Sequence, residues 1–133
     1  MFDPVINSLP AFAGYFATAL GLLAVFVVLY VFVTPYDEMA LIREGNTAAA
    51  VSLGGAIVGY AMPIAVSVAV SHNIVAMIGW GGVACIVQLL AYIVARLALP
   101  QLVLNIPLGK VASAIFLASL SLGIGILNAG CIA

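Results

Sequence analysis

Residues 34–63 read TPYDEMALIREGNTAAAVSLGGAIVGYAMP. The first part is polar and holds Asp37, Glu38, Arg43 and Glu44, in a chain with only three basic and four acidic residues. The second part is small and apolar without a break. Thr34 suits a helix cap and Pro35 a first helical turn. A short helix over 35–44 follows, stopped by Gly45. Asn46 then reads as the N-cap of a long apolar helix over about 47–70. A polar hinge feeding a glycine-rich apolar helix is how a chain turns back into a bilayer.

Composition extends that reading to the whole chain. It has 133 residues, of which 67% are hydrophobic and 5% charged. Soluble domains carry roughly 25% charged residues, so the solvent here is lipid. A span takes about 20 apolar residues. Four runs meet this need, at about 11–33, 47–70, 74–97 and 111–131. The expected fold is an all-α membrane protein, one membrane domain over 1–133, with four transmembrane helices. The opening MFDPVINSLP lacks the basic residues of a signal peptide, so the first run is expected to be a retained span. Near-neutral charge without a basic stripe argues against nucleic acid as a partner. Cys85 and Cys131 fall at different depths in different spans and outside any metal-binding spacing, so both are expected to be free.

Within the second span, Gly55 and Gly59 form a GxxxG, which lets two backbones approach in lipid. Pro63 cannot donate to the Gly59 carbonyl, so a bend is expected there. Ser52 and Ser67 share that face. Ser71-His72-Asn73 makes a tight turn into the third span, which carries Gln88 near its centre and Arg96 at its end. PQLVLNIPLGK connects it to the fourth span, where Asn128 lies near the end.

A shift of 64 residues superposes Ile42 on Ile106, Gly45 on Gly109, Ala48 on Ala112, Ala50 on Ala114, Leu53 on Leu117 and Gly59 on Gly123. Gly55 becomes Ser119, so the small-xxx-small pair persists. The expected architecture is two parallel two-helix repeats, one over about 11–70 and one over about 74–131. Arg43, Arg96 and Lys110 all fall in or beside the two long connections. The positive-inside rule places those connections in the cytoplasm and both termini outside.

The hinge and apolar helix at 34–63, then WGGVACIVQLL at 80–90, ARLALP at 95–100 and ILNAGC at 126–131 together resemble the YjfL type of small bacterial inner-membrane proteins. The likeness runs from Tyr30 to Cys131 and none of its motifs is missing. It implies a four-span inner-membrane protein built from two repeats. It implies no reaction and no substrate.

Function must then come from residues. Gln88, with Ser52, Ser67 and Asn128, reads either as interhelical hydrogen bonding or as a polar path. Gly55, Gly59, Pro63, Ser119 and Gly123 read as packing and kink positions. Asp37, Glu38, Arg43, Asn46, Arg96 and Lys110 mark the cytoplasmic connections. Asp37 and Glu38 diverge by about 100° on a helix, so they do not converge on one reacting atom, and a solvated interfacial cluster is the expectation, with ion pairing to Arg43 or Arg96. No charged residue is expected at mid-depth. His72 is the only histidine and makes no metal site alone. No cofactor, metal or enzymatic activity is expected. Two functions stay open: an oligomeric membrane scaffold whose cytoplasmic connections recruit a protein partner, or passive permeation of an ion or small solute past Gln88.

Overall fold

The computed structural model describes residues 3–133, joined as helices by short turns with no strand among them. In chain order the helices are α1 (Asp3–Val33), α2 (Glu38–Arg43), α3 (Thr47–Val70), α4 (Ile74–Ala98), α5 (Leu102–Asn105) and α6 (Val111–Ile132). Four of them, α1, α3, α4 and α6, are long and apolar enough to cross a membrane. The helix of the first span starts at Asp3, not near residue 11, with Pro4 in its opening turn where proline is favoured. At ~1.5 Å per residue α1 is about 46 Å long, against a hydrocarbon core of roughly 30 Å. Its N-terminal half, with Val5, Ile6, Leu9 and Phe12, is exposed. The four-residue helix α5 was not expected from the sequence.

Helix α3 is the centre of the bundle. It lies parallel to α6 and packs along it, Gly55 against Ala118 and Gly59 against Ser121 and Gly125. A Cβ on Gly55 would sit 2.5 Å from the Ala118 Cα, and one on Gly125 would collide with the Gly59 backbone. Glycine at these positions is what allows the two helices to meet backbone to backbone, as small residues do in lipid. Helix α3 runs unbroken through Pro63. The Gly59 carbonyl, which Pro63 leaves without its usual donor, faces Gly125 of α6.

The second expected small pair behaves differently. Ser119 and Gly123 are exposed, and a Cβ on Gly123 would meet nothing within 4 Å. Ala118, Ser121 and Gly125 take the inner face of α6 instead.

Aromatic packing joins α1 to this pair. Phe26 stacks on Tyr60 of α3 with ring centroids 4.5 Å apart, and Tyr30 meets Tyr92 of α4 edge-on at 5.3 Å. The Tyr60 hydroxyl donates to the Gly81 carbonyl of α4 at 2.8 Å. Buried Tyr hydroxyls need such a partner.

The two long connections lie together at one end. Gly45 and Gly109 both take positive φ, at 86° and 80°. At each, the glycine N–H donates three residues back, to Ile42 and Ile106, and the next N–H donates five back, to Leu41 and Asn105. Asn46 accepts from the Ala49 N–H at 3.0 Å, capping α3 as its sequence position implies, and its Nδ2 donates to the carbonyls of Ile106 and Pro107. One side chain therefore ends one connection and anchors the other.

Candidate functional site

The hinge folds into a buried polar corner. Asp37 caps α2, its carboxylate accepting from the Ala40 N–H at 3.2 Å. Glu38 is the next residue, and the divergence of neighbours on a helix turns it the other way, into the protein. It is fully buried, with 0% exposure. Asp37, Arg43, Glu44, Arg96 and Lys110 are all exposed. Of the acidic pair expected in a solvated cluster, Asp37 faces out and Glu38 is buried.

Three elements bring polar groups near the Glu38 carboxyl. The end of α1 brings Tyr30, the hinge brings Thr34 and Tyr36, and the end of α4 brings Tyr92. Glu38 lies within electrostatic reach of all three phenols. Both carboxyl oxygens and the hydroxyls of Tyr30 and Tyr36 are buried without a hydrogen-bond partner. The Tyr36 hydroxyl approaches that of Tyr92 but lacks the geometry of a hydrogen bond. The Thr34 hydroxyl is near Glu38 but donates to the Val31 carbonyl at 2.9 Å. Arg96, at the exposed end of α4, acts on Tyr92 through its charge and makes no hydrogen bond to Glu38.

The electrostatics follow from burial. Removing a carboxyl from water disfavours its charged form. Burial pushes Glu38 up from 4.5 to about 7, with the Thr34 hydroxyl opposing. Burial first, then the Glu38 charge, raises the Tyr36 phenol well above its ordinary range.

The residues expected along a polar path are buried but separately committed. Ser52 and Ser67 donate to carbonyls of their own helix, Ala49 at 3.1 Å and Ile64 at 2.8 Å. Gln88 Nε2 donates across to the Ser121 carbonyl of α6 at 3.2 Å, while its Oε1 has no partner. Asn128 Nδ2 donates to the Ala84 carbonyl of α4 at 3.3 Å. Gln88 and Asn128 are therefore two rungs between α4 and α6.

Sequence reasoning missed the tyrosines. Three of the chain's five tyrosines lie within electrostatic reach of Glu38. The usable signal was spacing: Tyr30 and Thr34, like Tyr92 and Arg96, are four apart, so each pair shares one helix face at the end of a span nearest the acidic hinge.

Fold and corner together define a class: a multi-pass helical membrane protein with a carboxyl buried where two spans end. The profile of a domain of unknown function, DUF350, matches residues 4–132. The inner membrane protein YjfL of the UPF0719 group from Escherichia coli strain K12 is 33% identical over 127 residues, 96% of each chain. The UPF0719 transmembrane protein YshE from Bacillus subtilis strain 168 is 30% identical over 95 residues, 71% of each chain. The chain belongs to this DUF350 family and is a multi-pass inner-membrane protein. No solved structure matches it.

Proposed function

We propose that the protein is a homo-oligomeric membrane scaffold, assembled through the outer face of α6, with no catalytic activity of its own. One observation carries this reading. The pair Gly55 and Gly59 is consumed inside the chain, whereas Ser119 and Gly123 stay exposed with open space over Gly123. Ala112 and Gly130 are exposed on the same face of the helix. Lipid packs poorly into such a groove, and a second helix packs well. The occupant is a second copy of this chain.

The architecture proposed with it is two parallel repeats. Its support is the matching pair of turns at Gly45 and Gly109, which share φ sign and both hydrogen bonds at an offset of 64 residues. The charges Asp37, Arg43, Arg96 and Lys110 cluster around the two connections and are exposed. By the positive-inside rule that end faces the cytoplasm, with both termini outside, and offers the surface for a soluble protein partner. Permeation past Gln88 has less support, because its amide nitrogen is engaged by the Ser121 carbonyl.

The test is oligomeric state in lipid nanodiscs and mild detergent, read by native mass spectrometry. Wild type is expected as an oligomer. Gly123→Leu is expected to shift it to monomer, and Ile86→Leu, on an exposed face of α4, to leave it unchanged. A wild-type monomer in every lipid tested would refute the assembly.

A further inference from the structure

We infer that Glu38 is a proton-binding site, held as the neutral acid among the phenols of Tyr30, Tyr36 and Tyr92. The inference goes beyond the scaffold reading and does not rest on it. Its basis is geometric. Glu38 is fully buried and Tyr30 is 1% exposed. Four oxygens in this corner, two from the carboxyl and one each from Tyr30 and Tyr36, have no partner. Buried polar atoms are almost always paired, so an unpaired set in one place asks for an explanation.

The charges facing the site decide the occupant. From α1 comes Tyr30, and from the hinge beyond it Thr34 and Tyr36. From α4 come Tyr92 and, beyond it at the exposed end, Arg96. On α2 itself, Asp37 is exposed at the cap. The titratable tyrosine of α3, Tyr60, is engaged by the Gly81 carbonyl. Among the described residues no cation is bonded to Glu38. An ionised carboxylate here would be an uncompensated buried charge, which proteins avoid by protonation. A neutral carboxyl both donates and accepts, as phenols do. One proton therefore removes the uncompensated charge and leaves a carboxyl of the same hydrogen-bonding character as the phenols near it.

Burial sets the affinity in a useful range. The Glu38 carboxyl is pushed up to about 7, so the proton is gained and lost around neutral pH. On release the proton goes to water. The carboxylate left behind must be hydrated, and α2 is the short element able to yield. The site thus links pH at the connection end of the bundle to how firmly α2 seats against α1 and α4.

The experiment is infrared difference spectroscopy of the whole protein in lipid nanodiscs, titrated from about pH 5 to about pH 9. Glutamate is isotope-labelled, and Glu38 and Glu44 are the only two glutamates. The expected result is a label-shifted carbonyl band of a protonated carboxyl, lost with a midpoint near 7. Glu44→Gln is expected to keep it and Glu38→Gln to abolish it. If Glu38→Gln fails to fold, the label and the Glu44→Gln variant still assign the band. A glutamate carboxyl already ionised at the acid end overturns the proposal. Repeating the titration with sodium or potassium in place of choline is expected to leave the midpoint unchanged. A fall of about one pH unit, tenfold in proton affinity, would show a metal cation competing for the oxygens and would also overturn it.

Discussion

Two adjacent glycines of α3 are expected to respond to the same substitution with opposite sign. Gly54→Ala adds a methyl where nothing lies within 4 Å. Its effect is the helix-propensity gain alone, up to about 1 kcal/mol in favour of the folded state. Gly55→Ala has the same gain, but its Cβ would lie 2.5 Å from the Ala118 Cα and 3.1 Å from the Ala118 carbonyl oxygen. Those are backbone atoms of α6 and cannot rotate away. Relief requires α6 to shift, which also loosens Gly59 against Gly125. Overpacking of this kind costs roughly 1–3 kcal/mol, and a rigid backbone partner puts it toward the upper end. Net destabilisation of about 1–2 kcal/mol follows for Gly55→Ala, and a gap of about 2–3 kcal/mol between the two variants. The assay is reversible unfolding in mixed micelles, followed by Tyr and Trp fluorescence at a protein concentration where the chain is monomeric. Equal effects of the two substitutions would refute backbone contact between α3 and α6.

Three further outcomes are expected. Stability should fall with pH, because Glu38 in the folded state is raised from 4.5 to about 7. The folded protein then holds a proton that the unfolded chain has released, so the stabilisation is full below 4.5, declines at about 1.4 kcal/mol per pH unit and is gone above 7, a loss of about 3 kcal/mol. Glu38→Gln should flatten that slope, and an unchanged slope in this variant would assign the effect elsewhere. Asn46→Ala removes a cap, worth about 1 kcal/mol, and both bonds to Ile106 and Pro107. Asn46→Asp keeps only the cap, and should fall between the variant and wild type in amide exchange at Asn105–Lys110. Gly45→Ala and Gly109→Ala each force a side chain into positive φ and should each cost about 1–2 kcal/mol. Markedly unequal costs would count against the repeat.

Legibility varied with the physics behind each feature. The four spans were readable because lipid imposes a length and a composition on every one of them. The Asn46 cap and the Gly45 stop were readable because each satisfies backbone groups within a few residues of itself. The start of α1 was misplaced because Ile6, Ser8 and Pro10 gave no clear break between a polar lead and the apolar run, and helix continues through them. Which small residues of α6 face inward was not readable. The shift by 64 residues picks Ser119 and Gly123, but the inner face belongs to Ala118, Ser121 and Gly125. Sequence equivalence fixes spacing along a helix and leaves its rotation to packing against neighbours.

The burial of Glu38 was illegible for a related reason, and it alters what the hinge is for. In sequence, Asp37-Glu38 is an acidic pair, and charge alone places both in water. The cap at Ala40 requires the Asp37 carboxylate at the exposed start of α2. Once that end is fixed, helix geometry directs Glu38 toward α1 and α4. The Gly45 turn and Asn46, bonded to the second connection, then hold α2 from its other end. A six-residue helix cannot keep a buried acid in place by itself. Held at both ends it can, and the phenols of Tyr30, Tyr36 and Tyr92 give that acid surroundings in which a single proton decides its charge. The hinge is therefore a mount for Glu38 as well as a turn between spans.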